Sequence, residues 1–304
     1  MDKIALSRIV RELNITILHE SKNFKSTYIE SMDLNRPGLQ LTGYFRSFDN
    51  KRIQIIGEQE WHFLSEMDHD ARYNCIKRLF ETHIPAIIFL RNRFIHDEFI
   101  ELAEELDVTL LRTEENFSKF TLRYQNYLEV ELAPTIRVHG VLLDVFGVGV
   151  LIKGSSGVGK SETALDLISK GSKLISDDSV IIKRIDDRLI GKSPYITKHF
   201  MEIRGVGIID VEKIFGIGFV MDQKNIEMVI NLESWDDNAE YDRLGIDNVY
   251  EEILGKQLVK YNIPVKPGRN SALIIETATK NFKQKEQGYN PAEELNKRIL
   301  GRRY

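Results

Sequence analysis

Eight consecutive residues, Gly154, Ser155, Ser156, Gly157, Val158, Gly159, Lys160 and Ser161, spell a complete phosphate-binding loop of the form G-x-x-x-x-G-K-S. No other feature of this chain constrains the fold as tightly, because the loop works only between a strand and a helix. The apolar run Val148 to Ile152 supplies the strand. Ser161 to Lys170 supplies the helix, with Ala164, Leu165, Leu167 and Ile168 on one face. Glycines let backbone N–H groups turn inward around phosphate oxygens, and the helix N-terminus adds its positive dipole end. Lys160 is placed to reach the outer phosphates and Ser161 a magnesium ion. Two glycines, a lysine and a serine meet at these offsets by chance in roughly one chain of this length in a hundred. A purely structural glycine turn is the competing reading.

At 304 residues the chain is long for one core and suggests two domains. A net charge of −4 gives no general basic field, so nucleic acid is not expected as a main partner. The one cysteine, Cys75, excludes an internal disulfide framework and fits a reducing cytoplasm; with no companion motif around it, it reads as filler. No apolar stretch approaches 18 residues and the first residues lack a signal-peptide core, so a cytoplasmic protein without a membrane span is expected.

The first third alternates strands, at Ile15–Leu18, Arg52–Ile56, Ala86–Leu90 and Val108–Leu111, with helices at Asp97–Leu106 and Phe117–Leu132; Ser7 caps a short helix through Leu13. Ala133-Pro134 ends this α/β domain, because proline disfavours helical geometry in the residue before it. The boundary falls near residue 130, giving domains 1–130 and 131–304. In the second, Ile136 to Phe146 is a strand-rich lead into the loop. Gly171 caps the loop helix, Lys173–Ser176 is a strand ending at Asp177-Asp178, and Val180–Ile185 with Leu189-Ile190 flank a hairpin turn at Asp186-Asp187. Later strands are expected at Ile226–Leu232 and Ala272–Glu276. Asn290, Pro291 and Glu293 open a terminal helix through a capping box; its basic end holds Lys297, Arg298, Arg302 and Arg303.

Asp177 and Asp178 follow a strand, and in a doubly wound sheet the carboxyl ends of strands line the ligand crevice, so both acids are expected at the loop. One can organise a magnesium shell while the other accepts a proton from an attacking hydroxyl. Turn residues are the bland alternative. The run Met201, Glu202, Ile203, Arg204, Gly205, Val206, Gly207, Ile208, Ile209, Asp210 combines a hard oxygen ligand, a cation for a phosphoryl group and two glycines that permit close approach; it reads equally as a bulged strand. Arg243 and Arg269 sit beside turn glycines, as surface arginines often do. His139 precedes Gly140 in a strand-like context, where a lone histidine is more often a satisfied core residue, and His199 reads as structural. A GTPase would need Asn-Lys-x-Asp, which is absent, and Asp144-Val-Phe-Gly147 precedes the loop, the wrong order. No Leu-Ser-Gly-Gly of a transporter ATPase occurs. A kinase-like catalyst remains.

The run from Val138 through the loop to Leu167, then Asp177-Asp178 and Glu202 to Asp210, closely resembles the HPr kinase/phosphorylase family. Arg36 to Phe45 resembles its N-terminal signature, and Tyr241-Asp-Arg243 and Pro264 to Asn270 its C-terminal ones. The resemblance implies an N-terminal α/β domain of unknown role and a phosphate-loop kinase domain whose core is similar to phosphoenolpyruvate carboxykinase. It implies transfer of phosphate from ATP, or pyrophosphate, to a regulatory serine of the phosphocarrier HPr. Phosphorolysis by inorganic phosphate, giving pyrophosphate, is the reverse activity, and together they control carbon metabolism. By the same resemblance His139, Lys160, Asp177, Asp178 and Arg243 are catalytic, with Asp178 the base and acid, and Ser161 and Glu202 hold Mg2+. Met201 to Asp210 would serve both directions, and Pro264, Val265, Lys266, Pro267, Gly268 and Arg269 dephosphorylation. A hexamer and an HPr-gripping C-terminal helix are also implied. Lys153 before the loop and Lys266 depart from the family pattern; the second loses the bidentate geometry of arginine. A metabolite kinase and a non-catalytic nucleotide-responsive regulator are the alternatives.

Overall fold

The computed structural model describes residues 3–92, 94–236, 249–266 and 268–301. Its backbone divides into two compact units, residues 1–133 and 134–304. In the first, four parallel strands, Leu34–Asn35, Ile53–Ile56, Ile87–Phe89 and Leu110–Arg112, are joined at one edge by antiparallel Thr16–His19. The central strand Ile87–Phe89 is apolar throughout and Ile53–Ile56 is interrupted only by buried Gln54, because both faces are covered. Ile53, Ile55, Ile88 and Leu111 pack on one side with Phe120 and Tyr124 of the helix Phe117–Glu131, while Ile56, Ile87, Phe89 and Leu110 pack on the other with Leu79, Phe99 and Leu102. Tyr124 is fully buried, and burial pushes its phenol well above its usual range.

The second unit is three layers deep. A mixed six-stranded sheet runs in the order Lys173–Ser176, Val141–Val145, Val148–Gly154, Met228–Ser234, Lys256–Val265, Val249–Ile253. Alternate residues sort its two faces. Val141, Leu143, Val150 and Ile152 face the helices Lys160–Ser169 and Ser271–Glu286, while Leu142, Leu151 and Val229 face an antiparallel four-stranded sheet. Ala164, Leu167 and Ile168 of the loop helix are fully buried, and each large side chain so buried contributes about 1.5–3 kcal/mol.

The sheet is not doubly wound. The strand after the loop helix, Lys173–Ser176, pairs antiparallel with Val141–Val145, which itself pairs antiparallel with the loop strand. It therefore runs parallel to the loop strand one place removed, and both carboxyl ends reach the same edge.

Four local expectations change. Ala272–Glu276 lies in the first turns of the 16-residue helix Ser271–Glu286, whose start is fixed by the Asn270 side chain accepting from the Leu273 N–H at 2.9 Å. A short apolar run reads as strand or buried helix with equal ease, and the cap decides. Ser7 lies inside its helix, Leu6–Glu12, whose N-cap is Ala5. The strand expected at Ile226 begins at Met228. Glu293 accepts from the Asn290 side-chain amide at 2.9 Å, so it closes the terminal cap through the side chain. At Asp186-Asp187, pairing of Ile185 with Arg188 leaves a two-residue turn.

Candidate functional site

The loop is built on glycine at three points. A Cβ on Gly154 would lie 2.4 Å from the Leu232 carbonyl oxygen of the parallel neighbour, so the loop strand passes at backbone contact. Gly157 and Gly159 hold φ of +85° and +96°, conformations that side chains resist, and Gly159 is the left-handed N-cap of the helix. Lys160 is folded into the loop, with Nζ donating to the Gly154 and Ser155 carbonyls at 3.0 Å each, and is only 8% exposed. The ammonium is thus held where an incoming phosphate oxygen can replace a carbonyl partner.

The first helical hydroxyl reaches across to the neighbouring strand end. Ser161 Oγ donates to Asp177 Oδ1 at 3.0 Å, and the Glu202 backbone N–H donates to Asp177 Oδ2 at 3.2 Å. Asp177 is 4% exposed. Burial pushes its carboxyl up, and that outweighs the Glu202 amide and Ser161 hydroxyl that favour the charge. Among the described residues no three His, Cys, Asp or Glu side chains form a ready cation cage. Magnesium does not need one, because it is usually held by one or two carboxylates together with substrate phosphates and water. The buried, under-neutralised Asp177, the Ser161 hydroxyl and Glu202 are hard oxygen donors that fit such an ion.

Asp178 separates from its neighbour completely. Its φ of +64° turns the chain between two strands, a conformation aspartate tolerates, and leaves the carboxylate exposed. His139 Nδ1 lies 3.0 Å from Asp178 Oδ1, and the Gly140 N–H donates to the Asp178 carbonyl at 3.1 Å. His139 is therefore not a satisfied core residue; it ends the strand Thr135–His139 as the partner of a free acid. Gly140 ties the pair to the loop strand: a Cβ there would meet the Ile152 carbonyl at 2.7 Å, two residues before Gly154.

Met201 to Asp210 is a β-hairpin, Phe200–Ile203 paired with Gly207–Asp210. Met201 and Ile203 are buried in the core, and Asp210 caps the following helix by accepting from Lys213 N–H at 3.1 Å, so those three are structural. Gly205 and Gly207 have open space around them and φ of +81° and +101°; the turn, not a close approach, requires them. Arg204 lies over the loop, 3.1 Å from where a Gly157 Cβ would be, so the hairpin delivers Glu202 and Arg204 to the same place. Val206 and Ile208 are exposed. His199, behind the hairpin, is held at Nδ1 by Glu212 at 2.6 Å.

Pro264 to Arg269 starts two strands away on the same edge, where Glu233 pairs with Pro264. Lys266 Nζ and Arg269 stand 5.1 Å and 5.8 Å from the Trp235 ring, a cation–π arrangement that sequence gave no reason to expect. Arg243, with Tyr241 and Asp242, and Pro267 lie outside the described residues. The sequence reading also missed Glu251. Its carboxylate bridges Lys153 at 2.6 Å and Lys260 at 3.1 Å, and although burial works against the charge, the two ammoniums hold the carboxyl below its usual range. The unusual lysine before the loop is thereby neutralised by a residue 98 positions later, a partnership no local pattern signals.

The fold and the site define a two-domain α/β protein whose C-terminal unit carries a glycine-rich loop between strand and helix with a buried acid against its serine. Family models described as HPr Serine kinase N terminus and HPr Serine kinase C-terminal domain match residues 4–128 and 130–299. The HPr kinase/phosphorylase of Thermoanaerobacter sp. (strain X514) is 46% identical over 99% of this chain and 98% of its own, and that of Lachnoclostridium phytofermentans 45% identical over 98% and 97%. A solved structure, the HPr(Ser) kinase/phosphatase from Coxiella burnetii, is 34% identical over 53% of this chain and 98% of its own, with a TM-score of 0.48. The chain belongs to the HPr kinase/phosphorylase family.

Proposed function

We propose that this chain phosphorylates a regulatory serine of HPr with ATP or pyrophosphate and removes the phosphate by phosphorolysis. The observation that carries the reading is the meeting of Ser161, Asp177 and Glu202 beside the open loop, with the exposed Asp178–His139 pair one residue further on. In this proposal Lys160, Arg204 and the loop N–H groups bind the phosphates. Ser161, Asp177 and Glu202 hold Mg2+, which neutralises phosphate charge when bound.

Asp178 is accessible enough to meet a protein hydroxyl, and His139 keeps its carboxylate aimed. In the forward direction it takes the serine proton as the oxygen bonds to the γ-phosphorus and the bond to ADP breaks. In reverse, inorganic phosphate attacks the phosphoserine, the serine oxygen leaves, and Asp178 returns its proton; pyrophosphate is the product. The base of one direction is the acid of the other by microscopic reversibility. Arg243 completes the charge stabilisation, and Pro264 to Arg269 serve the reverse direction. Leu295, Ile299 and Leu300 are exposed on the terminal helix Pro291–Gly301, an apolar stripe suited to gripping a protein acceptor. A homo-hexamer in the cytoplasm belongs to the same proposal; no described helix is long and apolar enough to cross a membrane.

The test is purified chain with Mg-ATP and HPr, then inorganic phosphate. Seryl-phosphorylated HPr, followed by its loss with stoichiometric pyrophosphate, is expected. Turnover of a metabolite without HPr, or nucleotide binding without any turnover, defeats the proposal; phosphorylation without pyrophosphate release removes its reverse half.

A further inference from the structure

In the N-terminal unit, the parallel strands Ile53–Ile56, Ile87–Phe89 and Leu110–Arg112 end at one edge, where open α/β sheets take ligands. A cavity of about 590 Å³ lies beside the last of them, within the range of small-molecule sites. Asn14, Thr16 and Thr113 give it a polar lining, together with three cations, Arg112, Lys119 and Arg123, and two carboxylates, Glu114 and Glu115.

The charges do not cancel evenly. Glu115 has Lys119 Nζ at 3.3 Å and Arg123 Nη2 at 3.0 Å, and Arg123 also donates to the Leu13 carbonyl at 2.7 Å. Glu114 accepts from the Asn92 amide at 3.1 Å. Among the described residues Arg112 has no such assignment, and its Nε is shut off from solvent without a hydrogen-bond partner, as is that of Arg123. A guanidinium N–H removed from water and left unpaired costs free energy that an oxyanion would relieve. The nearby helix Phe117–Glu131 is already capped, since Asn116 accepts from the Lys119 N–H at 3.0 Å. The anion preference therefore rests with the arginine, not with the helix end.

We propose that this cavity binds a small polar metabolite through its carboxylate or phosphate monoester, with Arg112 as the anchoring residue. The site is independent of the phosphate loop, which is in the other unit. Its test is arginine-directed labelling of the full chain with phenylglyoxal, read by peptide mass, with and without glycerol 3-phosphate or citrate. Protection of Arg112 by at least about threefold, with exposed Arg188 unchanged, is expected. Protection by glycerol 3-phosphate identifies a phosphate ligand and protection by citrate a carboxylate one. Calorimetric titration of the protective anion then separates the two sites. The Kd is expected to rise about tenfold or more in Arg112→Gln, as for loss of one charged hydrogen-bonding partner, and to stay within about twofold in Lys160→Gln. Arg112 labelling that neither anion slows overturns the proposal, and so does binding lost in Lys160→Gln but kept in Arg112→Gln. The labelling arm needs no variant, so misfolding of Arg112→Gln does not shield the idea.

Discussion

Each unit contains a strand, a glycine and a helix in succession, yet the two joints end up in opposite states. In the N-terminal unit, Ile53–Ile56 runs through Gly57 into Glu58–Ser65, and the Glu60 carboxylate folds back to accept from the Gly57 N–H at 3.0 Å. Arg36 clamps that carboxylate through two bonds of 3.0 Å and 2.9 Å. The positive helix end is occupied by the protein's own anion. In the C-terminal unit, five residues separate the strand Val148–Gly154 from the helix Lys160–Ser169, Lys160 fills the loop centre, and no carboxylate bonds to the loop N–H groups among the described residues. Helix geometry provides the anion site in both places; what decides its use is whether a side chain already occupies it.

The comparison breaks most sharply at the open joint. Asp178→Asn should lower turnover in both directions by about 10³–10⁴-fold while nucleotide still binds, because the amide cannot take the serine proton. Its exposure makes a folding defect unexpected, and near-normal turnover would remove Asp178 from its role. Lys160→Met should cost about 10²–10³-fold in turnover and weaken nucleotide binding as well, the mark of a group that meets the phosphates directly. Intact nucleotide affinity in that variant would place Lys160 outside the binding site.

At the closed joint the same kind of change is a stability event. Glu60 is 5% exposed and Arg36 about a third, so Glu60→Ala should destabilise the chain by roughly 2–3 kcal/mol, below the usual figure for a fully buried pair, with kinase activity of the folded fraction unchanged. Added sulfate should restore part of that loss by occupying the vacated helix end, and a thermal midpoint insensitive to sulfate would contradict the occupancy argument.

The smallest effect separates the two neighbouring acids. The Asp177 carboxyl titrates higher in the folded chain than unfolded, so its contribution favours folding at low pH and is lost as pH rises through the folded value. Asp177→Asn should therefore raise the thermal midpoint of the ligand-free chain by about 2 °C at pH 7, with no gain below the unfolded carboxylate value. A lowered midpoint at pH 7 would show that the Ser161 and Glu202 hydrogen bonds outweigh the cost of the buried charge.

Legibility along the chain follows the range of the interactions. The loop was readable because its glycines, lysine and serine act through backbone geometry within eight residues. The hairpin at Asp186-Asp187 and the caps at Asn290 and Gly171 are local in the same sense; Ser172 N–H bonds to the Leu167 carbonyl at 3.1 Å around Gly171. Ala272–Glu276 misled because an apolar run of that length has no period of its own. Met201 to Asp210 looked uniform in sequence, but alternate burial divides it into core residues, a cap, the Glu202 backbone N–H bonded to Asp177 and the Arg204 side chain over Gly157. The His139–Asp178 contact joins residues 39 apart through strand register, and nothing near either residue announces it.

The sequence by itself determined that this chain carries a glycine-rich G-x-x-x-x-G-K-S loop in a strand–loop–helix setting, with acids shortly after it. Tertiary structure decided that Asp177 is buried against Ser161 while Asp178 is left out with His139, that Arg204 covers Gly157, and that Lys153 is neutralised by Glu251. Contiguous motifs are fixed by backbone stereochemistry, which any short segment carries with it. Contacts between strands are fixed by register and by which face each side chain takes, and those exist only once the sheets have formed.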